Sequence, residues 1–83
     1  MNTCIISTFN CSFDDFKNKV EEQRPEWSKF VDDYEIVKVN EHKSIMLMNV
    51  LDFESMQEFM TTEEMQNWDA ENGCVDTVYS MSQ

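Results

Sequence analysis

The most constraining feature of this sequence is the run Ile45-Met46-Leu47-Met48-Asn49-Val50-Leu51, apolar at every position but one. Successive side chains of a strand point to opposite sides, so a strand with one wet face alternates apolar and polar residues. This run does not alternate, and it predicts a strand covered on both faces. It lies within a longer stretch, Tyr34 to Glu54, where a second β-rich run precedes the polar turn Asn40-Glu41-His42-Lys43. Such a pair predicts a hairpin with a loop of about four residues. Helices can cover one face of it. A chain of 83 residues makes a single domain, residues 1–83, with little left to cover the other. A second copy of the chain is the expected lid.

Composition agrees with that need. A chain this short buries only roughly 60–65% of the surface exposed on unfolding, so its own core leaves a thin stability margin. Hydrophobic content of 41% with six Phe and seven Met is that of a globular chain rather than a disordered one. One Gly and one Pro leave no room for a flexible linker. The net charge of −11 repels phosphate backbones and anionic headgroups, so neither nucleic acid nor membrane is an expected partner. Met1 to Cys11 has no basic start and only a short apolar run, which argues against a signal peptide. Cysteines at 4, 11 and 74 form no CxxC pair, so neither a disulfide framework nor a zinc site is indicated. The expectation is an acidic, cytoplasmic protein with reduced thiols.

The rest of the chain supplies two helices and two more strands. Thr3 to Phe9 is β-branched and aromatic and predicts a first strand, with Cys4, Ile6 and Thr8 on one side. Ser12 followed by Asp15 marks a helix start near Phe13. Phe13, Phe16 and Val20 recur at helical spacing to about Gln23, and Pro25 opens a fresh turn that Val31-Asp32-Asp33 ends. Strand two then runs from about Tyr34 to Asn40. After strand three, Ser55 with Glu58 caps a second helix whose apolar pattern slips between Met60 and Met65. A continuous helix would turn Met65 about 140° away from Met60. The pattern therefore predicts two segments, Ser55–Met60 and Thr62–Asn72, with Thr61 capping the restart. Asn72-Gly73 supplies the left-handed stop, and Cys74 to Met81 is the last strand.

The order β-α-β-β-α-β is the split βαβ or ferredoxin-like arrangement. Right-handed crossovers give an α+β fold with an antiparallel sheet in the order 4-1-3-2 and both helices on one face. The element order, the apolar third strand and the tail from Trp68 through ENGCVDTVYSM together resemble the dimeric α+β barrel superfamily. Its short uncharacterised members from marine bacteria and cyanobacteria are the nearest in character. The resemblance implies a homodimer formed by two open sheet faces across a two-fold axis. Enzymes of that superfamily include cofactor-free quinol monooxygenases, haem-degrading monooxygenases, chlorite dismutase-like proteins and muconolactone isomerase-like proteins; stress-response barrels also belong to it. The haem-degrading relatives use an Asn on an early strand, a Trp and an axial His on a helix. The one histidine here, His42, falls in a hairpin turn, so no haem site carries over.

Candidates for chemistry are few. His42, between Glu41 and Lys43, reads as a solvated turn residue unless it finds partners as a base or ligand. Asn49 is the polar exception in strand three: it either orients a quinol-like substrate or ties down a strand end or interface. Trp27, Trp68 and Tyr79, with Tyr34, either line a pocket between sheet and helices or are simply core. The methionines at 46, 48, 56, 60, 65 and 81 either line an adaptable apolar cavity or fill gaps. Acidic pairs such as Asp14-Asp15 and Glu63-Glu64 are adjacent, do not share a helix face, and are poor chelates. Cys4 and Cys74 sit on strands that this topology makes neighbours, yet two apolar settings argue against a bond. No catalytic set, metal site or cofactor site can be assembled. Two readings stand: a non-catalytic homodimeric module that binds a small apolar molecule or a protein, and a cofactor-independent monooxygenase or isomerase of the antibiotic-biosynthesis-monooxygenase type. The first is preferred.

Overall fold

The structure, a computed structural model, describes residues 1–81. The strands are β1 (Thr3–Thr8), β2 (Val31–Asn40), β3 (Lys43–Val50) and β4 (Val75–Ser80), and the helices are α1 (Phe13–Glu22), α2 (Arg24–Trp27), α3 (Phe53–Met60) and α4 (Glu63–Asn72). They follow in the order β1-α1-α2-β2-β3-α3-α4-β4. The four strands form one antiparallel sheet in the order β2-β3-β1-β4, which counted from the β4 edge is 4-1-3-2. This is an α+β architecture compatible with the ferredoxin-like pattern.

The register shows why the central strands are apolar on both sides. Ile5 pairs with Met46 and with Val78, and Thr3 with Met48, so these side chains share a face. On that face Thr3, Ile5, Ser7, Met46, Met48 and Val50 are buried. Ile5, Met46, Met48 and Val50 pack with Trp27 of α2, Phe30 and Met56 of α3 in one cluster, while Phe9, Phe13 and Phe16 form a second beside Trp68. All the helices therefore lie on one side. The opposite side carries Val37, Ile45, Ile6 and Thr77 across one row, then Glu35, Leu47, Cys4 and Tyr79 across the next. No element of the chain covers it among the described residues.

Local differences from the expected elements have local causes. Val31-Asp32-Asp33 opens β2 instead of ending the preceding helix. Val31 is buried against its partner Val50, and an irregularity between Val31 and Asp33 lets the extra acidic residue face water. The hairpin loop is two residues, Glu41 and His42, because Asn40 Oδ1 accepts the His42 backbone N–H at 2.8 Å and closes the turn early. Helix α3 starts at Phe53 rather than Ser55, since Asp52 is the cap and accepts from Ser55 N at 3.2 Å.

The second helical region is split, as the slipped pattern requires, but the cap is Thr62. Thr62 has the extended backbone a cap needs (φ −62°, ψ 153°) and accepts from Met65 N at 3.4 Å. Thr61 remains near-helical (φ −106°, ψ 10°) and its hydroxyl donates back to the Gln57 carbonyl at 2.9 Å. Gly73 ends α4 in the left-handed region at φ 59°. A side chain there would also run into Asn10, whose backbone N–H donates to the Asn72 carbonyl at 2.7 Å.

Candidate functional site

Between the sheet and the helices lies a partly open cavity of about 80 Å³. Its floor comes from Ile5 and Ser7 of β1 and Met46 and Met48 of β3. The walls are Phe16, Val20 and Trp27 on one side and Met56, Phe59, Met60, Met65 and Trp68 on the other. Five methionines converge there, and their unbranched thioethers can repack around an occupant more cheaply than branched side chains. The split of the second helix makes this possible. Restarting at Thr62 brings Met65 and Trp68 back toward the sheet, so α4 roofs part of the space. Glu64, in the first turn of α4, accepts from Lys19 Nζ at 3.3 Å and from Gln23 Nε2 at 3.0 Å. Those two contacts clasp α4 to α1 beside the cavity.

Along β1 the cavity changes character. Away from Ser7 it is apolar, with Met48 and Trp27, whose indole N–H is satisfied by the Val20 carbonyl at 3.0 Å. At the Ser7 end it is polar. Ser7 pairs with Asp76 of β4 in register, and its hydroxyl donates to Asp76 Oδ1 at 2.5 Å. The Cys74 thiol donates to the same oxygen at 3.5 Å, and Asp69, from the last turn of α4, completes a cluster in which one ligand-type atom from each of Asp69, Cys74 and Asp76 lies within 4.8 Å of the others. Burial first, and the nearby Asp76 carboxylate second, raise the Asp69 carboxyl above its usual range, against a lowering by its hydrogen bond with Cys74. Burial, then the Asp76 and Asp69 charges, push the Cys74 thiol far up, so it is a protonated donor and not a nucleophile.

The residues singled out from sequence divide between the two sides of the sheet. Trp27 and Trp68 line the cavity, as do Met46, Met48, Met56, Met60 and Met65. Tyr34 stands behind this wall. Its ring meets Trp27 edge-on at 4.8 Å, and its hydroxyl donates to Glu21 at 3.0 Å. Tyr79 does not line the pocket between sheet and helices. Its register partner is Cys4, so parity sends it to the open face, where it is 51% exposed. Asn49 is on that face too, donating to Asp32 Oδ1 at 2.7 Å, which is the strand-tying role. His42 is exposed in the turn with Nδ1 3.1 Å from the Cys11 carbonyl. Cys4 and Cys74 lie on opposite faces of the sheet and cannot meet, and all three thiols are free.

The polar end is what sequence reasoning missed. Asp69 looks like a wet-face helix residue, Asp76 like the outward half of an alternating strand, and Ser7 like a strand filler. Only the register of β1 with β4 brings them together. The one available signal was the tail DAENGCVD, where Gly73 folds the chain back sharply enough to set Asp69 beside Cys74; Cys74 N donates to the Asp69 carbonyl at 2.8 Å.

Comparison of the chain with family models, with curated proteins and with solved structures gives no match. No helix among the described residues is long and apolar enough to cross a membrane.

Proposed function

We propose that this protein is a non-catalytic homodimeric module of the dimeric α+β barrel type that binds a small apolar molecule in the cavity between sheet and helices. The observation that carries the reading is the lining of that cavity: five methionines and two tryptophans around about 80 Å³ of partly open space. A well-packed domain of this size leaves few voids larger than a water molecule. An apolar pocket with a few polar groups at one end is the usual form of a small-molecule site.

The second copy is proposed from the other side of the sheet. Four strands about 4.8 Å apart and six residues of about 3.3 Å each give that face a footprint of roughly 400 Å², with an apolar centre of a size that is often functional. Its central residue is Leu47, flanked by Ile45, Ile6 and Cys4. Val37, Val39, Val75 and Tyr79 around them are each more than 40% exposed in the single chain. A two-fold pairing of these faces would bury all of them together.

Support for a monooxygenase or isomerase is weaker. That reading calls for Asn49 converging with Tyr34 or His42 in a closed pocket. Asn49 is on the open face, His42 is at the hairpin tip, and Tyr34 is engaged with Glu21.

The test of the binding reading is calorimetric titration with a short neutral probe such as 1-butanol, repeated on Met46→Trp. The wild type should bind saturably with a negative heat-capacity change, and the filled variant should not. Equal binding by both proteins, or none by the wild type, would remove the cavity from the account.

A further inference from the structure

We propose that the ligand of this cavity is an amine: a short apolar body carrying one protonated amino group, seated with its head at Asp69 and Asp76. The inference rests on the cavity-binding reading above and adds the chemical class.

Asp69 and Asp76 stand on the cavity wall with Cys74 between them, and their ligand-type atoms fall within 4.8 Å of one another. Two carboxylates that close, beside apolar walls, repel each other unless a cation or a proton intervenes. The charges that perturb Asp69 and Cys74 are all acidic. The cation on the wall, Lys19, is held instead by Glu64 at 3.3 Å. What the protein itself offers the pair is two neutral donors, the Ser7 hydroxyl and the Cys74 thiol, both directed at Asp76 Oδ1. A third donor bearing a positive charge is the complementary partner. Hydrogen bonds from an ammonium to a carboxylate are about twice as strong as neutral ones.

Shape decides between an amine and a bare cation. The polar end shares one small cavity with the apolar side chains of Ile5, Met46 and Met48, so charge and apolar surface meet in the same space. A metal ion would use the cluster and leave the apolar part of the cavity without a role. It would also have to displace the proton of a thiol whose surroundings hold that proton firmly. An alkylammonium uses both parts at once. The volume of about 80 Å³ is roughly half that of a cavity known to take a benzene ring, so a chain of about four carbons is the right order of size. An acid of the same shape would face two carboxylates and be rejected.

The two tryptophans on the wall report the outcome directly. Trp68 stands beside the cluster on α4 and Trp27 closes the other end, so their indole N–H resonances in ¹H–¹⁵N spectra follow binding inside the cavity and ignore amines held on the acidic exterior. Butylammonium, 1-butanol, butyrate and Zn²⁺ would each be titrated at matched ionic strength and neutral pH. The expected result is saturable shifting of both indoles by butylammonium at least about tenfold more tightly than by 1-butanol, the margin a charge-assisted hydrogen bond supports, with no response to butyrate. Asp69→Asn and Asp76→Asn should each bring the amine to the level of the alcohol while alcohol binding persists, which also shows that the variants are folded. Asp14→Asn, which removes one exposed charge outside the cavity lining, should keep the preference. Equal affinity for amine and alcohol, or a preference that survives both cluster variants, overturns the amine assignment and leaves the apolar-ligand reading intact. Indole shifts with Zn²⁺ and none with butylammonium overturn it in favour of a metal. Silence toward every probe overturns both readings.

Discussion

Gly73 shows how much of this structure hangs on one residue. At φ 59° it takes a conformation that costs an L-residue roughly 1–2 kcal/mol, and a Cβ would press into the Asn10 side chain as well. Gly73→Ala should therefore destabilise the protein by about 2 kcal/mol in urea unfolding, whereas substitutions at exposed Asn67 should stay near neutral. Asp69 makes a different prediction. Its folded carboxyl is raised above 3.8 mainly by burial, so between that value and the raised one the native state holds more protons than the unfolded chain. Stability then falls as pH rises through that window. Asp69→Asn removes the loss, so the melting temperature of the variant relative to wild type should be higher at about pH 7 than at about pH 3. Glu41 and Asp52 act oppositely. Lys38 lowers the Glu41 carboxyl and the Ser55 backbone N–H lowers that of Asp52, so their stabilisation is lost as pH falls. Both are present in the two proteins and cancel in the comparison.

At the scale of elements, the break between α3 and α4 matters most, because it delivers Met65, Trp68 and Asp69 to the cavity. Thr62 holds the restart. Thr62→Ala should cost about 1 kcal/mol and speed hydrogen exchange first in the opening turn of α4, while Thr61→Ala should change little, since its hydroxyl only returns to a carbonyl of α3. The break was legible because a five-residue gap between apolar positions does not fit a 3.6-residue period. The choice of Thr62 over Thr61 was not, because adjacent threonines offer the same hydroxyl and only backbone angles tell them apart. The same limit explains β2. Asp32 and Asp33 read as a stop until the pairing of Val31 with Val50 is known. Parity within each strand was readable, and it placed Cys4 with Ile6; that Leu47 joins them came only with the register. Which parity faced the helices was not readable: that depended on tertiary packing, and it carried Tyr79 and Asn49 to the side away from the cavity. The Ser7–Asp76 contact joins residues 69 positions apart, beyond the reach of any local pattern.

For the whole molecule, the sheet is a wall with two different sides. One side holds the core and the cavity. The other has an apolar centre of Val37, Ile45, Ile6 and Leu47, with Glu35, Asn49 and Thr77 around it, that no element of the described chain covers, on a protein whose charge is −11. The edges of this sheet are poor places for further pairing: β2 is irregular at both ends and carries Lys38, and β4 is short. The proposed face-to-face pairing has Leu47 at its centre, and Leu47→Lys would place an unpaired charge there at a cost of several kcal/mol. The most direct check is the molar mass of the wild-type protein by light scattering at micromolar concentration. A homodimer gives twice the 9.9 kDa of the chain, which is the expected result. A mass of 9.9 kDa under those conditions would contradict it.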